Sequence, residues 1–141
     1  MDLNRFDMKR FTLILTCLFL LCGCKGSKSN APLDITGEWR LTDLTLTKSV
    51  QIGNEDVDIY MSFAADKTFA LWQFLGAGRY EHFSGTWELT GNTLTGKYAD
   101  GTLWGNIYKV SVSDNLLTME ATQNSSDIYI YTRSNIPDNL K

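Results

Sequence analysis

Histidine occurs once, proline twice and cysteine three times in the 141 residues. A single histidine, His82, builds neither a two-histidine metal site nor a dyad with a thiol, and an exposed or mouth-lining imidazole is expected instead. All three cysteines (Cys17, Cys22, Cys24) fall at the N-terminal end, so the chain beyond them has no disulfide and no thiolate metal site. Zinc-ribbon and thioredoxin-like folds are thereby excluded. Long apolar runs are lacking too: Phe11 to Leu21 is eleven residues, against about 20 for a membrane-spanning helix. The net charge of −3 offers no basic surface to nucleic acid. Two prolines and eleven glycines are too few for a collagen-like or low-complexity chain. No G-x-S-x-G, H-E-x-x-H or phosphate-loop motif occurs, no nucleophile or acid–base pair can be named, and no cofactor is implied. The expectation is a protein that is not an enzyme.

What is present begins with a targeting pattern. Lys9 and Arg10 precede the apolar run, and Leu21-Cys22-Gly23-Cys24 follows from its end. The run has the length of a signal-peptide core rather than of a membrane span. Its end resembles the bacterial lipobox, an aliphatic residue and two small ones before a cysteine. That resemblance implies a lipoprotein signal peptide over 1–23 and lipidation at Cys24, whose sulfur would carry diacylglycerol. Several acyl chains, each contributing about 0.8 kcal/mol per buried CH₂, would hold the chain on a membrane. Residues 24–32 read as a polar tether. Lys25 after the cysteine, without an acidic run, points to the outer membrane facing the periplasm.

From Leu33 onward the patterning is that of strands. Val57, Ile59, Met61 and Phe63 alternate with Asp58, Tyr60 and Ser62, while Thr68–Leu75 is apolar on both faces. Turn signals at Asp66-Lys67, Gly91-Asn92, Asp100-Gly101, Asp114-Asn115 and 124–126 separate further strands over 79–90, 93–99, 103–113, 116–122 and 127–133. In 37–48 the apolar phase slips, with Trp39 and Leu41 odd but Leu44 and Leu46 even, so a β-bulge is expected near Asp43. These are eight strands joined by short turns. Their most economical arrangement is an all-β, eight-stranded antiparallel up-and-down β-barrel over 33–133, because closure removes exposed edges. The last residues, 134–141, are polar and expected to be disordered.

Two segments repeat one pattern: Gly37-Glu38-Trp39-Arg40-Leu41 and Gly85-Thr86-Trp87-Glu88-Leu89. The first resembles the G-x-W signature that opens the barrel of lipocalins and related calycins. That resemblance implies that Arg133, late in the last strand, packs over Trp39 and closes the barrel. Together with Phe63–Phe69, Gly85–Trp87 and Asn92–Thr95, it makes 33–133 similar to the small lipocalin-like lipoproteins of Gram-negative bacteria. The helix that usually follows the last lipocalin strand is missing, as is a T-D-Y motif.

Aromatic residues make up 12% of the chain, more than a small core requires. The surplus is Trp72, Phe74, Tyr80, Trp104, Tyr108, Tyr129 and Tyr131. Of these, Trp72, Phe74, Tyr80, Trp104 and Tyr108 are expected to wall a pocket for a small apolar ligand, since each offers an apolar body and most carry one polar handle. Such a pocket would have about 300 Å³ or more. The same aromatics would equally serve an interaction protein, an accessory subunit of an envelope complex or an enzyme inhibitor, with an envelope protein as partner. The acidic group Glu55-Asp56-Asp58 lacks the spacing of a calcium loop and reads as a solvated turn.

Overall fold

The computed structural model describes residues 31–45, 57–124 and 127–141. The chain divides into Met1–Ala31, of which only Ala31 is described, and Pro32–Lys141. Signal segment, Cys24, most of the tether, Glu55 and Asp56 therefore lie outside the described residues.

Eight strands follow one another: β1 (Gly37–Thr45), β2 (Val57–Phe63), β3 (Thr68–Leu75), β4 (Glu81–Thr90), β5 (Thr93–Tyr98), β6 (Tyr108–Ser113), β7 (Leu116–Ala121) and β8 (Ile128–Arg133). Each pairs antiparallel with the next, and β8 returns to pair with β1, closing the barrel. The register between β1 and β8 shifts between Leu41 and Asp43, at the phase slip read from the sequence. Thr42 fills the irregularity: its hydroxyl donates to the Ile130 carbonyl at 3.2 Å and lies 3.0 Å from the Thr132 hydroxyl. Between β2 and β3, Lys67 takes φ = 71°, and the Asp66 carboxylate accepts the Thr68 N–H at 3.0 Å, which fixes the turn.

One end of the barrel is packed shut by Ile35, Trp39, Phe63, Trp87, Leu94 and Leu117. The Trp39 indole N–H donates to the Ile35 carbonyl at 2.9 Å, and the Arg133 guanidinium lies 4.2 Å above the Trp39 ring. Gly37 is required here. Its φ is +125°, and a Cβ would overlap the Arg133 guanidinium, which donates to the Thr36 carbonyl at 2.7 Å. The second G-x-W segment repeats the arrangement with a lysine: Lys67 Nζ is 3.9 Å from the Trp87 ring, and the Trp87 N–H donates to the Thr68 carbonyl.

Two features differ from the sequence expectation. The strand expected from Leu103 starts only at Tyr108, and β5 and β6 share just two paired positions, Thr93 with Lys109 and Leu94 with Tyr108. After the Asp100-Gly101 turn the chain folds back on β5, with the Trp104 N–H donating to the Gly96 carbonyl. The Trp104 ring lies where a Gly96 side chain would stand. It fills the wall where the ladder is interrupted.

The second difference is the C-terminal tail, which is docked rather than disordered. Ile136 is 2% exposed, in a cluster with Tyr60 and Trp72 on the outer face of β2 and β3. Glu38 ties it down, accepting the Ile136 N–H at 2.7 Å and pairing with Lys141 at 2.9 Å. Burial pushes the Glu38 carboxyl up, yet the Ile136 N–H and Lys141 outweigh it and hold the group below the usual range. The Trp72 N–H donates to the Leu140 carbonyl at 2.6 Å. A strand apolar on both faces needs cover on both, and two apolar residues in a polar tail supply it.

Candidate functional site

Inside the barrel, away from the packed end, is a cavity of about 220 Å³. Its floor is Met61, Phe69, Met119 and Tyr131, and its upper wall includes Leu41, Leu44, Ile59, Leu71 and Gln73. Tyr98, Trp104, Tyr108 and Tyr129 complete the aromatic side. The volume is below the 300 Å³ order expected from the sequence. Bulky rings from four strands and from the segment between β5 and β6 converge on a narrow barrel.

Of the five residues expected to wall the pocket, Trp104 and Tyr108 line this cavity. Trp72, Phe74 and Tyr80 do not. Strand alternation settles this: Phe69, Leu71 and Gln73 of β3 face inward, so Trp72 and Phe74 face out. Trp72 lies under the C-terminal tail and beside His82, ring centroids 4.9 Å apart. Phe74 packs against Tyr80 at 5.6 Å, and the Tyr80 hydroxyl donates to Asp58 at 2.6 Å. Asp58 also receives the Arg40 guanidinium at 2.9 Å. Burial raises the Asp58 carboxyl, but the bonds from Tyr80 and Arg40 outweigh it and hold the group below its ordinary value. Trp72, Phe74 and Tyr80 instead border an open groove on the outer face, beside His82 and Leu140. Among the described residues no group of three potential metal ligands comes together.

Tyr98, Tyr129 and Tyr131 line the cavity without having been singled out as its wall. Tyr129 and Tyr131 have the parity of Arg133, which the resemblance places over Trp39, so the phase of β8 was available to find them. The rings run edge to face from the floor to the rim: Phe69 to Trp104 at 4.9 Å and 77°, Trp104 to Tyr108 at 6.2 Å and 72°, Tyr108 to Tyr129 at 5.8 Å and 85°.

Burial pushes the Tyr108 phenol up to about 12, with Tyr129 adding to the effect and Asn106 opposing it. Burial and then Asp127 raise Tyr129, and burial raises Tyr131 well above the ordinary phenol. All three are thus neutral hydroxyls at physiological pH. Unfolded phenols titrate near 10, so the neutral forms stabilise the fold fully below about pH 10. That contribution is lost as the pH rises through about 12, the folded value of Tyr108. A melting temperature falling steeply between about pH 10 and 12 is expected, with Tyr131→Phe blunting the fall. A flat profile over that window would contradict the buried placement of the phenols.

A family model for the lipocalin-like domain matches residues 35–119, more than half of the chain, from the Ile35 cap through most of β7. Both G-x-W segments and nearly all of the cavity wall except the β8 tyrosines fall within the match. No curated protein matches the chain. With a closed eight-stranded barrel, a G-x-W tryptophan buried at its packed end and a model match over most of the strands, the chain belongs to the lipocalin-like domain family.

Proposed function

We propose that this protein is a lipid-anchored lipoprotein of the cell envelope, held in the outer membrane facing the periplasm, and that its barrel binds a small apolar ligand without catalysis. The observation that carries the binding reading is the 220 Å³ cavity, walled almost entirely by apolar and aromatic side chains in a lipocalin-like barrel. The anchor reading is supported by Leu21-Cys22-Gly23-Cys24 after the apolar run.

A one-ring apolar probe such as toluene, titrated while tryptophan fluorescence and NMR shifts are followed, should bind saturably. Leu44→Trp, at the cavity rim, should block it, whereas Trp72→Phe on the outer face should leave it unchanged. Equal loss in both variants, or no uptake by the wild type, would count against the carrier. Metabolic labelling with a fatty acid tests the anchor separately: Cys24→Ala should take up no label and leave the membrane fraction.

A second reading, an interaction protein with an envelope partner, draws on the β3–β4 hairpin. Leu75, 60% exposed, and the partly exposed Phe83 border a broad open groove there. Failure of every apolar probe together with binding to an envelope protein, lost in Phe83→Ser, would favour it.

A further inference from the structure

The polar side chains around the cavity are all uncharged. Gln73 apart, they present tyrosine hydroxyls and one indole N–H. Tyr131 is the most buried of the lining tyrosines, 5% exposed, with its ring on the cavity floor. Its hydroxyl makes no hydrogen bond to any described residue, and burial, ahead of the neighbouring Tyr108, Tyr129 and Tyr98 phenols, is the main cause of its raised titration. Yet among the described residues no buried side-chain oxygen or nitrogen is left sealed away without a partner, so this hydroxyl borders open space. A hydroxyl so placed lacks the partner that buried polar groups ordinarily find.

We infer that the ligand is an uncharged molecule on the order of ten heavy atoms with one hydrogen-bond acceptor, such as a carbonyl oxygen, which takes its bond from the Tyr131 hydroxyl. This rests on the binding reading above and narrows it to a chemical class. The size follows from comparison: a cavity of about 150 Å³ lined by apolar side chains holds benzene, and this one is about half as large again. A carboxylate would leave water with no cation to receive it, and Glu81, bonded to Gln73 at 3.2 Å, stands at the rim with the wrong sign. A cation would find no lining carboxylate either. The aromatic faces that serve cations elsewhere are partly occupied here by edge-to-face contacts running from Phe69 through Trp104 and Tyr108 to Tyr129.

Three probes of one shape separate the possibilities: acetophenone, α-methylstyrene and benzoate. They differ only in whether the branch carries an acceptor, none, or a charge. Phenyltrimethylammonium supplies the cationic case. Calorimetric or NMR titration of the wild type at neutral pH should rank acetophenone about tenfold above α-methylstyrene, the order of one neutral hydrogen bond, with benzoate and the ammonium ion below both. Tyr131→Phe keeps the ring and should reduce the preference to near unity while α-methylstyrene binds as before. Trp72→Phe, on the outer face of β3 and away from the cavity, provides a second fold-preserving variant and should leave the preference in place. Equal binding of acetophenone and α-methylstyrene, or a preference that survives Tyr131→Phe, would overturn this inference while leaving the carrier intact. Tightest binding by benzoate or the ammonium ion would overturn it as well. Failure of all four probes would overturn both the inference and the carrier.

Discussion

Trp39→Ala should lower the unfolding free energy by about 3–5 kcal/mol, the usual cost of deleting a large buried aromatic. Trp39 is fully buried at the packed end, and its N–H holds the Ile35 carbonyl. Truncation would open a void beside Phe63 and Trp87 and leave the Ile35 carbonyl without its donor. Arg133→Ala should cost about 1–2 kcal/mol, since it removes a cation from one ring face together with the bond to the Thr36 carbonyl. In the double variant the losses should fall short of their sum, because the arginine's ring partner is already gone. Urea melts of the four proteins measure this directly. Strictly additive losses would show that the stacked geometry contributes nothing to closure.

Removal of residues 134–141 is expected to cost about 2 kcal/mol, the scale of one well-buried isoleucine. The gain from Ile136 and Leu140 is partly offset by the entropy of ordering the segment. Trp72, only 9% exposed with the tail in place, would lose its cover and its bond to the Leu140 carbonyl. Its fluorescence should shift to the red, and the shift should vanish in a Trp72→Phe background. Ile136→Ala should reproduce most of the loss in stability. Unchanged stability and emission after truncation would mean that the tail does not hold the outer face.

Strand positions were legible because this chain alternates cleanly and marks its turns with Asp, Asn and Gly. Even the bulge at Asp43 was visible, since a slip of one residue exchanges the two faces of a strand. The cavity wall was less legible, for two physical reasons. Trp72 and Phe74 have the size and polarity of pocket aromatics, and only the phase set by Phe69 and Leu71 reveals that they point outward. Trp104 does line the cavity, but through a fold-back onto Gly96 that no alternation encodes. The docked tail had a signal of its own. A β3 segment apolar on both faces called for a second layer, and Ile136 and Leu140 were the apolar residues remaining downstream. Their isolation among polar neighbours hid them, because short terminal segments show no period.

The seam between β1 and β8 also bears on time. It joins residues some ninety positions apart, as Thr42 and Thr132 are, whereas every other pairing links consecutive strands. A contact across such a span must wait until the intervening chain is organised, because the entropy of closing so large a loop is met before the contact returns anything. The hairpin neighbours are therefore expected to form early and the seam late. Side chains that engage only after the rate-limiting step leave the folding rate nearly untouched and act on unfolding. The Arg133 stack over Trp39 would then serve as a latch whose strength sets how long the native barrel survives once formed.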